Sequence, residues 1–164
     1  RIVNGTSEGS TGGCIAQYDG SSVQATGTVL EYCTAGQEGG AVYSGGNSTV
    51  VLSSSNISVG KSLGSTGGCI ALYGQSNLQA TGSVLEVCVS VGGGGAVYSS
   101  GQSQVVLEGS RIVNGTSEGS TGGCIAQYGQ SNLQATGSVL EVCVSVGGGG
   151  AVYSSGQSQV VLEG

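Results

Sequence analysis

Six cysteines and no histidine bound the chemistry open to this chain. The cysteines fall into three pairs of equal spacing, Cys14 with Cys33, Cys69 with Cys88 and Cys124 with Cys143. Evenly spaced cysteines without histidine favour disulfides in an oxidising compartment over a zinc site. Glu31, Glu86 and Glu141 recur at equivalent positions, as do Glu108 and Glu163. A column of carboxylates is what a cation site or a sugar-cleaving acid and base would need, but charged side chains more often form a solvated face. Asn4, Asn47, Asn56 and Asn114 open N-x-[ST] sequons, which accept N-glycans in a eukaryotic secretory pathway.

Other spacings resemble reactive motifs but lack their partners. Gly5-Thr6-Ser7-Glu8-Gly9, repeated at 115–119, and Gly60-Lys61-Ser62-Leu63-Gly64 match G-x-S-x-G. A nucleophile elbow needs a base and a strand-to-helix turn, and neither is present. Gly60-Lys61-Ser62 also matches the end of a P-loop, whose first glycine would fall on Ser55. Arg1-Ile2-Val3-Asn4-Gly5 resembles the processed start of a trypsin-like protease, yet it recurs at 111–115, and no histidine exists for a triad. Thr26-Gly27-Thr28, Thr81-Gly82-Ser83 and Thr136-Gly137-Ser138 resemble the Thr-x-Thr ladder of ice-binding solenoids, without its uniform threonine. The expectation is a chain that is no enzyme and carries no cofactor and no metal.

Composition narrows the partners. With no Phe, Trp, Met or Pro, and with 35 Gly, burial falls to Val, Ile, Leu, Ala, Cys and seven Tyr. Nine acids against three bases give a net charge of −6, which offers no basic stripe for nucleic acid. No apolar run approaches the ~18–20 residues of a membrane span. The start at Arg1, within a repeat and without a leader, reads as a processed chain or a piece of a longer one.

The elements that must position these residues repeat on a fixed beat. Gly13, Gly40, Gly68, Gly95, Gly123 and Gly150 each close a Gly-Gly pair, follow one another at 27 or 28 residues, and precede Cys-Ile or Ala-Val. Six such units form one solenoid over 1–164, in double-unit repeats of 55 residues at 1–55, 56–110 and 111–164. Residues 129–164 copy 74–109, and 111–128 copy 1–18. Such periods mean one supersecondary unit stacked on itself. The first half of a repeat reads as strands Cys14–Tyr18, Ser22–Ala25 and Thr28–Cys33, and the second as Ala41–Ser44, Thr49–Leu52 and Asn56–Val59.

Three strands per unit with no hairpin turn between them predict the three sides of a coil, strand stacked on strand in parallel. Aligned halves place Val23 and Ala25 on Val50 and Leu52, and Leu30 and Tyr32 on Ile57 and Val59, at inward parity. The expected core is Val23, Leu30, Val50, Leu52, Ile57, Leu78, Leu85, Val105, Leu107, Leu133, Leu140, Val160 and Leu162. On the first side either Ile15 and Val42 or Ala16 and Tyr43 face inward.

The Gly39-Gly40-Ala41-Val42-Tyr43 pattern resembles the GGA[IV] half of the repeat in polymorphic outer-membrane autotransporter proteins and related β-helical surface proteins. Their F-x-x-N half is absent here with phenylalanine. The resemblance implies a right-handed parallel β-helix with a surface or extracellular role in adhesion or assembly, and it carries over no catalytic residue.

In a coil, Cys14 opens the first side and Cys33 closes the third, so the two meet near one corner. Pairing within each repeat (Cys14–Cys33, Cys69–Cys88, Cys124–Cys143) is favoured over the rival Cys33–Cys69, which spans more layers. Buried free thiols are the alternative in a reducing compartment. The two ends also match: Arg1-Ile2-Val3 has the register to follow Glu163-Gly164, as Arg111-Ile112-Val113 follows Glu108-Gly109-Ser110. The expectation is an extracellular or cell-surface structural protein that self-associates head to tail into a fibre or appendage. The alternatives are an adhesin or ice- or glycan-binding solenoid, and an artificial consensus repeat.

Overall fold

The computed structural model describes residues 1–164 and contains short strands without a helix. Val-, Ile- and Leu-bearing runs of two to seven residues are interrupted by Gly and Ser, so each run is a strand and each interruption a corner. The strands form three parallel sheets of six rungs, one sheet for each side of a β-solenoid with six turns of about 27 residues.

The first sheet stacks Ile15–Gln17, Val42–Ser44, Ile70–Leu72, Val97–Ser99, Ile125–Gln127 and Val152–Ser154. The second stacks Ser22–Thr26, Thr49–Ser53, Asn77–Thr81, Gln104–Glu108, Asn132–Thr136 and Gln159–Glu163. The third begins with Ile2–Val3 and Thr6–Ser7 on one rung. It continues through Val29–Ala35, Asn56–Ser62, Val84–Ser90 and Arg111–Ser117, and ends with Val139–Glu141 and Val144–Ser145 on one rung.

Register follows the sequence alignment of the halves. Val23 pairs with Val50, Leu30 with Ile57 and Ile15 with Val42. The extra residue of alternate turns lies in the corner before the first side, because Ser62 to Ile70 is one residue longer than Ala35 to Val42.

Inward positions build one continuous core. Leu30, Val50, Leu52, Ile57, Leu78, Leu85, Val105, Leu107 and Leu133 are buried in it, together with Ile70, Val97, Ile112 and Ile125. Val42 rather than Tyr43 faces inward on the first side. Four expected core residues belong to the end turns, where one side of the stack is open. Val23 and Leu140 are half-buried, Val160 is 37% exposed and Leu162 is 62% exposed.

The third side departs from simple alternation. Tyr32 and Val59 sit in left-handed backbone, with φ of 55° and 54°, so the chain bends there and the parity flips. Tyr32 therefore points out and is 51% exposed, whereas Cys33 and Ala35 beyond the bend point in and are fully buried. The side thus runs to Ala35 and Ser62, past the Cys33 and Val59 at which period-two patterning ends it.

The Gly-Gly pairs make the corner where the third side turns into the first. Gly39 has φ +64°, which only glycine adopts freely. At Gly40 the backbone of two rungs closes in, and a Cβ would lie 2.0 Å from the Gly68 carbonyl oxygen and 2.4 Å from the Lys61 nitrogen. At the opposite corner a serine file holds the rungs. The Ser55, Ser83 and Ser110 hydroxyls accept from the Thr28, Ser55 and Ser83 N–H groups of the preceding rung, each at 3.1 Å.

Candidate functional site

The cysteines form three disulfides, Cys14–Cys33, Cys69–Cys88 and Cys124–Cys143, with Cα separations of 5.4, 5.3 and 5.1 Å. Each joins the start of a turn to its own third side, and no Cys33–Cys69 bond exists. The neighbouring rung explains why only alternate turns carry one. Cys33 and Cys88 both stack on Gly60, where a Cβ would lie 2.6 Å from the Cys69 sulfur. At Gly5 and Gly115 a Cβ would lie 2.6 and 2.9 Å from the Cys14 and Cys124 sulfurs. A cystine fills the corner so fully that the adjoining rung has room only for glycine, and this steric pairing makes the repeat two turns long. Three disulfides place the chain in an oxidising environment.

The carboxylates do not converge. Glu31 pairs with Arg1, Glu141 with Arg111 at 3.1 Å, and Glu86 accepts from Asn56 Nδ2 at 3.3 Å. Glu108 and Glu163 accept from the Thr81 and Thr136 hydroxyls at 3.4 and 3.2 Å. Thr26, Ser53, Thr81, Glu108, Thr136 and Glu163 share one outward file, so its threonines alternate with other residues.

The sequons differ in geometry. Asn4, Asn47 and Asn114 are exposed in left-handed backbone (φ 58°, 62° and 56°), whereas Asn56 is half-buried with its Nδ2 committed to Glu86.

Both ends of the solenoid expose strand edges without a neighbouring rung. At one end the edges are Ile2–Val3 with Thr6–Ser7, Ile15–Gln17 and Ser22–Thr26; at the other, Val139–Glu141 with Val144–Ser145, Val152–Ser154 and Gln159–Glu163. Val142, Val144, Val146 and Leu162 are 53–70% exposed at the second end, and Ile2 and Val3 are 39% and 37% exposed at the first. The core opens at the second end as a cavity of about 480 Å³ lined by Ala135, Leu140, Ala151, Val152 and Leu162.

An internal junction shows what such edges accept. Val84, Leu85, Glu86, Cys88, Val89 and Ser90 pair in parallel with Arg111, Ile112, Val113, Gly115, Thr116 and Ser117. The sequence of 84–90 recurs at 139–145, which has a free edge, and that of 111–117 recurs at 1–7, which has the complementary free edge.

Compared with protein-family models, curated proteins and solved structures, the chain matches none.

Two side-chain files escaped the pattern of hydrophobic residues. Tyr18, Tyr43, Tyr73, Tyr98, Tyr128 and Tyr153 stack along the outer face of the first sheet, with ring centroids 5.2–5.7 Å apart. The backbone register sets Tyr43 against Ala16 and Ala71, so alternate tyrosines are offset and a position-by-position alignment hides the column. Its signal was the recurrence of tyrosine in every turn. Burial raises the Tyr43, Tyr73 and Tyr98 phenols above their ordinary range, and the nearby Glu38 carboxylate adds to the effect at all three.

The second file runs Gln75, Gln102, Gln130, Gln157, each amide donating to the next at 2.8, 3.0 and 2.9 Å. It borders a shallow groove lined only by polar side chains, with Asn77, Gln104 and Asn132 opposite.

Proposed function

We propose that this chain is an extracellular structural protein whose solenoid stacks end to end, copy on copy, into a fibre or surface appendage. The observation that carries the proposal is the internal junction between 84–90 and 111–117, whose two halves recur on the free edges at opposite ends. Unpaired strand edges and half-covered core residues gain hydrogen bonds and burial when a second copy supplies the next rung. The contact is head to tail and does not close on itself, so it extends into a filament. Disulfides, and the likeness of Gly-Gly-Ala-Val-Tyr to β-helical surface repeats, support a place outside the cell.

Electron microscopy and sedimentation of the purified, disulfide-intact protein test this. Filaments that lengthen with concentration are expected, and dispersed particles without an axial repeat at every concentration would remove the proposal. A second reading, a glycan-binding surface, draws on the glutamine file and its polar groove. Neutral, regularly spaced amides suit sugar hydroxyls, and binding on a glycan array that is lost in Gln102→Ala tests it.

A further inference from the structure

The tyrosine file has a chemistry that stacking into a fibre does not use. Five successive ring pairs lie 5.2, 5.7, 5.3, 5.6 and 5.4 Å apart, centroid to centroid, at interplanar angles of 27–44°. Those spacings and angles hold each ring against its neighbour in the tilted or offset-stacked contact that aromatic pairs adopt at about 4.5–7 Å. Tyr18 is 48% exposed and gives access at one end, while the inner rings are half-buried. The phenols also have proton partners. Tyr73 donates to the Glu38 carboxylate at 2.9 Å, and the Tyr18, Tyr73 and Tyr128 hydroxyls lie 2.7–2.8 Å from those of Thr11, Thr66 and Thr121.

We propose that this file is a site of oxidative modification, at which a peroxidase using hydrogen peroxide joins neighbouring tyrosines into dityrosine. Each participating phenol loses one electron to the oxidant and its hydroxyl proton to an acceptor, which at Tyr73 is Glu38. Two adjacent phenoxyl radicals then couple through their ortho carbons. Each ortho hydrogen transfers to the oxygen of its own ring, restoring two phenols joined by a carbon–carbon bond. Two electrons and two protons leave in total and reduce one hydrogen peroxide to two waters. Because the rings are chemically alike and in contact, an electron vacancy formed at exposed Tyr18 moves along the file to the inner rings. Tyr73 is a neutral phenol whose hydroxyl already donates to Glu38 at 2.9 Å, so its proton has an acceptor in place when the electron leaves. The product is a covalent tie between turns, whereas each disulfide closes a single turn.

Tyr32 supplies an internal control. It is the seventh tyrosine, 51% exposed on the third side, and belongs to none of the stacked pairs. Simple accessibility would make it the first tyrosine to couple, whereas the geometry assigns coupling to the file. The inference needs only one copy of the chain and does not rest on end-to-end stacking.

The test treats dilute, disulfide-intact protein with a plant peroxidase and hydrogen peroxide, then maps linked peptides by mass spectrometry. Expected are links that each lack two hydrogen atoms, joining file neighbours within one chain, with none through Tyr32. Tyr32→Phe keeps the dityrosine emission. The triple variant Tyr43→Phe, Tyr98→Phe, Tyr153→Phe keeps six stacked rings but leaves no phenols on adjacent rungs, and it loses the emission. Links made chiefly through Tyr32, or undiminished emission from a folded triple variant, would overturn the proposal. If the triple variant does not fold, the linkage map of the unaltered chain and the Tyr32→Phe result decide the matter.

Discussion

At the scale of single residues, the bend on the third side is where sequence and backbone disagree most. Val59, Val87 and Val142 hold φ of 54°, 55° and 51°, a conformation that β-branched residues avoid, while Asn4 and Asn114 occupy the same rung position with φ of 58° and 56°. Asparagine tolerates left-handed backbone because its short polar side chain bonds locally, whereas valine pays in sterics. Val87 is 41% exposed, so little burial is lost on replacing it. Val87→Asn is therefore expected to stabilise the chain by about 1 kcal/mol, from the left-handed penalty that it relieves. Thermal or denaturant unfolding with disulfides intact checks this, and a lower midpoint would contradict it. Period-two patterning places Leu30, Ile57 and Leu85 correctly, because those residues precede the bend. It misplaces Tyr32 and Val59 because tyrosine and valine give no local sign of positive φ. The asparagines of the equivalent rungs were the only residue-level hint.

At the scale of elements, the two-turn period follows from volume. A cystine in one corner excludes every side chain from the facing position of the next rung, which is why Gly60 and Gly115 alternate with Cys33, Cys88 and Cys143. Gly60→Ala would press a methyl group to 2.6 Å from the Cys69 sulfur and 2.6 Å from the Gly68 carbonyl oxygen. It is expected to cost about 1–3 kcal/mol, the usual range for overpacking a filled interior. Gly9→Ala, which meets nothing within 4 Å, is expected to change stability by less than about 0.5 kcal/mol. Equal unfolding midpoints for the two variants would contradict the steric account. Reduction of the disulfides releases loops that span 19 residues, and on the chain-entropy argument each bond contributes about 3 kcal/mol. The glycine beat, the coil, the within-turn cysteine pairing and the parallel register were legible because each follows from a repeat period and a short reach. The tyrosine and glutamine files were not read from the sequence. Their contacts depend on which way an outward side chain leans across rungs, and backbone period does not encode that.

At the scale of the whole molecule, every rung contributes to the same three sides, and the end turns lack a covering rung on one face. Gly95 and Gly150 make this contrast at one site. A Cβ at Gly95 would lie 2.0 Å from the Gly123 carbonyl oxygen and 2.3 Å from the Thr116 nitrogen, whereas at Gly150 the nearest atom is 3.6 Å away. Gly13 and Thr6 of a second copy correspond to Gly123 and Thr116, so stacking would close the space above Gly150 as the next turn closes it above Gly95. Gly95→Ala is expected to damage the fold, and Gly150→Ala to leave a single copy intact while blocking the addition of another. The most direct test of end-to-end assembly is filament growth by the unaltered chain and by Gly150→Ala at matched concentration, with circular dichroism and intact disulfides confirming that both are folded. The account predicts filaments with an axial spacing of about 4.8 Å, the strand separation, for the unaltered chain, and single copies for Gly150→Ala. Growth of Gly150→Ala at the rate of the unaltered chain, or single copies of both at every concentration, would contradict it.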